Sequence, residues 1–139
     1  MNYEFIARTL NLKHPVPTPF DLIEIARMGI PKKSINSLAE CLHIPISELI
    51  QYLHVSERTL QRYSPDKLLS SAISDHLLQI AKVYSRSLEV FEDAEDASMW
   101  LKQVNISLGN VPPMDLVDTI SGIEMVLDEL TRIEYGVFA

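Results

Sequence analysis

The sequence predicts an all-α fold arranged as two helical units. Three observations carry that expectation. Glycine is rare, 4 of 139 residues. Apolar side chains recur at spacings of three and four through long stretches, and few segments alternate apolar and polar with the period of a strand. Hydrophobic residues make up 47% and charged residues 22%, the balance of a folded core rather than a disordered chain. The length suits one domain or two small packed modules.

Residues 1–19 end in "HPVPTPF", with prolines at 15, 17 and 19. Alternating prolines block regular helix, so 1–19 is expected to be an extended N-terminal arm. In "FDLIEIARM", residues 20–28, Leu22, Ile23, Ala26 and Met28 fall toward one helical face, and Gly29 ends the helix. A second helix, about 32 to 42, turns Ile35, Leu38, Ala39 and Leu42 inward. "PISELIQYL" is a third, opened by Pro45 with Ser47 in its first turn, and "SERTLQRY" is a fourth with Ser56 as its N-cap. Pro65 closes this unit, which places a boundary near residues 64–67 and a first module at 20–66.

The second module is expected over 67–139. From Lys67 to Phe91 an amphipathic helix carries Leu69, Ile73, Leu77, Ile80, Tyr84, Leu88 and Phe91 on one stripe. "EDAEDASMWLKQV" reads as another helix, with Trp100 and Leu101 as core. "NISLGNVPPM" is a loop turning at Gly109, and Pro112–Pro113 opens a last helix over about 114–135. Its stripe is Leu116, Ile120, Ile123, Leu127 and Leu130, Gly136 is its stop, and "VFA" follows as an apolar tail. Gly122 in mid-helix costs about 1 kcal/mol against alanine, which points to close packing or a contact surface there.

"LIQYLHVSERTLQRYS", residues 49–64, has the spacing of a helix-turn-helix. Leu49 and Leu53 face inward from the first helix, Val55 is the buried turn residue and Leu60 anchors the second helix. Glu57, Arg58, Gln61 and Arg62 are left on the outer face, with Ser56 and Thr59 as short hydroxyls for cap or phosphate contacts. Arginine and glutamine can bind base edges bidentately, so these six residues are the candidate DNA contacts. His54 stands where a small turn residue is usual. "LAECLHIPISELI", residues 38–50, fits the same pattern one helix earlier, but its second helix lacks the arginines.

Charge is divided between the modules. Residues 1–66 hold seven basic and seven acidic side chains, while 67–139 hold five and twelve and supply the whole net −7. Only the first module can approach a polyanion without repulsion.

Nothing assembles a reaction. His14, His43, His54 and His76 lack metal-site spacing, and Ser74, Asp75 and His76 are helix neighbours pointing about 100° apart. "EDAED" lacks the ligand alternation and glycine of a calcium loop, and no glycine-rich phosphate loop exists. The expectation is a non-enzyme with no cofactor, no metal and no small-molecule substrate. The single Cys41 excludes an internal disulfide and suits a reducing cytoplasm. A signal-peptide pattern is absent, as is any apolar run near the ~20 residues that span a bilayer, so no membrane partner is expected.

"ASMWLKQVNISLGNVPPMDLVDTISGIEMVLDELTRIEYGVF" resembles the C-terminal domain of Xre/MbcA/ParS-type antitoxins. Trp100–Leu101, Asn105, Leu108–Gly109, Pro113, Thr119 with Gly122, Arg132 and Gly136–Val137 match its pattern in order, and Arg58, Thr59, Leu60 and Arg62 match the upstream segment. Asn110–Val111 departs from the pattern where a second glycine is common. The resemblance covers roughly 35–139.

It implies a type II antitoxin whose second module is a helical toxin-binding and oligomerisation domain. The partner implied is a toxin of RES or ParT-like fold that consumes or uses NAD, neutralised by laying the antitoxin's C-terminal region over the NAD pocket. The first module implies promoter binding. A pocket for the phosphates of NAD is basic, so an acidic, aromatic end suits it. The candidate toxin contacts are Asp128, Glu129, Glu134, Tyr135 and Phe138, with Arg132 and Val137 of the terminal motif. The apolar stripes further predict a homodimer or higher oligomer. The competing readings are a stand-alone helix-turn-helix regulator without a toxin and a helical adaptor that binds only protein.

Overall fold

The computed structural model describes residues 3–13 and 18–136. Among them are eight α-helices and two short 3-10 turns, with two isolated β-bridges and no sheet. The helices are α1 Tyr3–Thr9, α2 Pro19–Met28, α3 Lys33–Leu42, α4 Ile46–Tyr52, α5 Glu57–Gln61, α6 Ser71–Phe91, α7 Ala94–Lys102 and α8 Ile120–Glu134. The 3-10 turns, Ile106–Leu108 and Pro113–Leu116, lie between α7 and α8.

α6 is the axis, 21 residues and so about 30 Å long. It packs against α1, α2, α3, α7 and α8, and its buried Leu77, Leu78, Ile80, Ala81, Val83 and Tyr84 cover more than half of the helix surface rather than one narrow stripe. One apolar core therefore runs from Ile6 to Leu130.

Several helix ends are set by polar groups written locally in the sequence. Thr18 and Asp21 form a capping box at α2, with Pro19 at its first position. Ser56, Ser70, Asp93 and Thr119 cap α5, α6, α7 and α8 by accepting backbone N–H bonds.

Where the fold departs from the sequence reading, a distant partner is responsible. Residues 3–9 are helix α1 rather than extended arm: Ile6 and Leu10 are buried, and the Ser34 hydroxyl donates to the Leu10 carbonyl at 2.6 Å. The prolines at 15 and 17 lie outside the described residues. On α2, Leu22 and Ala26 face the core, whereas Ile23 and Met28 are exposed.

The long helix begins at Ser71, not Lys67, because residues 67–69 pair with the start of α3. Lys32 N donates to Lys67 O at 2.9 Å and Leu69 N to Ile30 O at 2.8 Å. That pairing also fills the expected boundary at 64–67 with long-range contacts. The last helix begins at Ile120 rather than 114. Pro113 opens a 3-10 turn, the chain bends through Val117 and Asp118, and Thr119 restarts the helix. In consequence Ile120 is exposed, and Val126 takes a core position in its place.

Candidate DNA-reading and partner-binding surfaces

The reading motif is built from α4 and α5. Leu49, Leu53 and Leu60 are buried and Val55 is half-buried. This seats the motif on the core and leaves Ser56, Glu57, Arg58, Thr59, Gln61 and Arg62 exposed, as the helical period requires. Ser56 Oγ accepts from Thr59 N at 3.4 Å. α5 is barely more than one turn, 5 residues, so its outer face is short and arginine-rich. The earlier register, α3–turn–α4, also forms, but the second helix there exposes Ile46, Ser47 and Gln51 and no cation.

The turn has a feature that the sequence only hinted at. His54 sits in the left-handed region at φ 56, the conformation that makes glycine usual at such turns. Its ring compensates by bonding elsewhere: Nε2 donates to the Asp118 carbonyl at 2.9 Å. His76, on α6, donates from Nε2 to the adjacent Val117 carbonyl at 2.8 Å. The two rings lie 6.3 Å apart. Two histidines thus hold the strap that leads into α8, one of them from the turn of the reading motif. Beside this strap, burial and a hydrogen bond to Glu48 push the Tyr52 hydroxyl well above its usual range.

α8 presents the second surface. Asp128, Arg132 and Tyr135 are exposed, and Ile120, Glu124, Asp128 and Tyr135 share its outer face by helical spacing. Two of the other expected contacts are engaged within the chain. Glu129 is buried and accepts from Arg132 Nη1 at 3.0 Å. Glu134 takes both arms of the Arg86 guanidinium, at 2.7 and 2.8 Å, which holds its carboxyl below the usual carboxylate range. Glu89 joins the same guanidinium at 3.0 Å, and together these bonds fasten the end of α8 to α6. Val137 and Phe138 lie outside the described residues.

Sequence reasoning missed the exposed apolar side chains around this module: Met99, Val104, Ile106, Ile120 and Met125. The 3-10 turn carrying Ile106 is held open by Asn105, whose Oδ1 accepts from Ser107 N at 2.9 Å, and by the Asn105–Val111 bridge. An asparagine cap beside an isoleucine was the one available signal.

Most residues of the terminal pattern have roles of this structural kind. Asn105 caps a turn, Leu108 and Pro113 are buried, and Gly109 adopts φ 82. Thr119 caps α8 through Gly122 N at 3.0 Å. A Cβ on Gly122 would run into the Leu116 carbonyl oxygen. These positions build the strap and the start of α8.

Residues 87–136 match the family model of the antitoxin Xre/MbcA/ParS C-terminal toxin-binding domain, and residues 21–82 match that of the antitoxin Xre-like helix-turn-helix domain. The chain belongs to the Xre/MbcA/ParS antitoxins. Among its relatives is a Prs ADP-ribosylating antitoxin of Sphingobium sp. (strain YBL2), 26% identical over 132 residues, covering 88% of this chain and 83% of that protein. Another is an antitoxin Xre of Yersinia enterocolitica, 26% identical over 120 residues, covering 85% and 81%. A third is an antitoxin Xre of Photorhabdus laumondii, 23% identical over 115 residues, covering 81% and 78%. The two matched segments of the antitoxin meet inside α6, which both of them share. No helix among the described residues is long and apolar enough to cross a membrane.

Proposed function

We propose that this antitoxin neutralises a RES-type, NAD-consuming toxin by covering its active site with the C-terminal end of α8, and that it represses its own operon by binding promoter DNA through α5. The observation that carries the reading is the joining, on one core, of a reading helix exposing Arg58, Gln61 and Arg62 to a toxin-binding domain whose outer face exposes Asp128 and Tyr135. The name of the Sphingobium relative supports the NAD chemistry, because ADP-ribosylation draws ADP-ribose from NAD. Both partners place the protein in the cytoplasm. The contact set is Asp128, Arg132 and Tyr135 with the tail Val137–Phe138, while Glu129 and Glu134 shape and fasten the helix that presents them.

Two copies, paired through the exposed Phe20, Ile23 and Met28 of α2, would set two reading heads on a two-fold site. Few cations per protomer make DNA binding weak for a single copy and tighter on multimerisation.

The test of neutralisation is co-expression of the cognate toxin with Asp128→Ala/Tyr135→Ala antitoxin. Growth arrest with an unchanged circular dichroism spectrum supports the cover, and full rescue of growth rejects it. The test of promoter reading is a shift assay with Arg58→Ala/Arg62→Ala, where each lost bidentate contact removes about 1–3 kcal/mol of base discrimination. Wild-type affinity in that variant rejects α5 as the reader.

A further inference from the structure

Lys32 precedes α3 and Lys67 precedes α6, yet the fold brings both against Tyr63, just past the end of α5. The Lys32 ammonium donates to the Tyr63 carbonyl at 3.0 Å. The Lys67 ammonium lies 5.1 Å from the centre of the Tyr63 ring. Their backbones are joined by the bond from Lys32 N to Lys67 O at 2.9 Å. The neighbouring Lys33 is neutralised by Asp66 at 3.0 Å, but Lys32 and Lys67 have no carboxylate partner among the described residues.

An ammonium has three donors, and Lys32 uses one on Tyr63. Arg62, exposed, caps the same end of α5, while the exposed Arg58 stands one turn back, next to the helix's only carboxylate, Glu57. Three cations, Lys32, Lys67 and Arg62, thus gather around the C-terminal end of the reading helix in a chain of net charge −7.

We propose that Lys32 and Lys67 form a phosphate-binding edge beside α5, gripping the backbone of duplex DNA without regard to sequence. The proposal rests on the promoter-binding reading above and divides the labour within it: α5 selects the site and the lysine edge supplies sequence-independent grip. A cation held over an aromatic ring and one anchored on a carbonyl are both restrained in advance, so little side-chain freedom is left to lose when a phosphate arrives.

The experiment is a salt titration of binding to two duplexes, one carrying the promoter upstream of the protein's own reading frame and one of scrambled sequence. Lys32→Gln/Lys67→Gln removes both charges and keeps a donor for the Tyr63 carbonyl. The slope of log affinity against log salt should fall by about two, with affinity roughly tenfold lower on both duplexes and their ratio unchanged. Lys32→Arg/Lys67→Arg, which keeps the charges, should restore the wild-type slope. A glutamine variant with the wild-type slope overturns the edge and leaves promoter reading standing. An arginine variant that restores nothing assigns the loss to local folding and overturns it as well. Wild-type protein that binds neither duplex overturns both readings.

Discussion

Gly122 and Gly136 lie at opposite ends of α8 and are glycine for different reasons. Gly122 has helical neighbours and no room, since a Cβ there would meet the Leu116 carbonyl. Gly136 has open space but a φ of 66. Gly122→Ala should therefore lower stability by about 1–3 kcal/mol, the cost of overpacking, and Gly136→Ala by about 1 kcal/mol, the strain of a left-handed alanine. Urea midpoints check both, and equal values would contradict the close approach at Gly122. Ser85 is buried on α6 with its hydroxyl unpartnered among the described residues. Ser85→Ala should then raise stability by about 1 kcal/mol, read as a higher thermal midpoint. At the end of α8 the Glu134 carboxyl is held low by Arg86. A depressed carboxylate contributes its stability above the unfolded value, about 4.3, and loses it as pH falls through the lower folded one. Nuclear magnetic resonance titration of the last-turn amides of α8 should show an acid step below the usual carboxylate range. Arg86→Gln should move that step up to the ordinary value.

α1 shows how an element can be hidden by its neighbours. Ile6 and, just past its end, Leu10 have helical spacing, but the prolines that follow suggested an extended chain throughout. Because Ile6 is fully buried against the core, Ile6→Ala should cost about 2–5 kcal/mol, measured by denaturant unfolding. A loss under 1 kcal/mol would mean that α1 is dispensable. α3 was legible from its apolar period and α5 from its Ser56 cap, both of them local signals. So was the exposed set on α5, since Leu60 alone fixes which way that short helix faces. The starts of α6 and α8 were placed too early, although Ser70 and Thr119 mark them locally. What holds the chain out of helix before them is distant: the pairing of Leu69 with Ile30 at one, and His54 of the reading turn with His76 of α6 at the other. On α8 the acids were visible, but their standing was not. Glu134 finds its partner 48 positions back at Arg86, so a carboxylate that reads as solvated is an internal tie.

At the scale of the whole molecule, exposed Phe20, Ile23 and Met28 on α2 leave apolar surface that one copy does not cover. Light scattering at micromolar concentration should give a mass of twice 15.8 kDa or more, and Phe20→Glu/Ile23→Glu should return it to a monomer. A monomer in the wild type would remove the two-headed arrangement and leave each reading helix to bind alone.

The two carbonyls in the strap before α8 have one more consequence. His54 takes one of them from the reading motif and His76 takes the other from α6, while the matched segments divide at residues 82 and 87, in mid-helix. Sequence boundaries and mechanical boundaries therefore disagree. A chimera that grafted a relative's reading motif onto this C-terminal half would splice through α6 and leave the donor's turn facing a foreign strap. Such grafts should fold poorly unless the residues at 54, 76, 117 and 118 travel together.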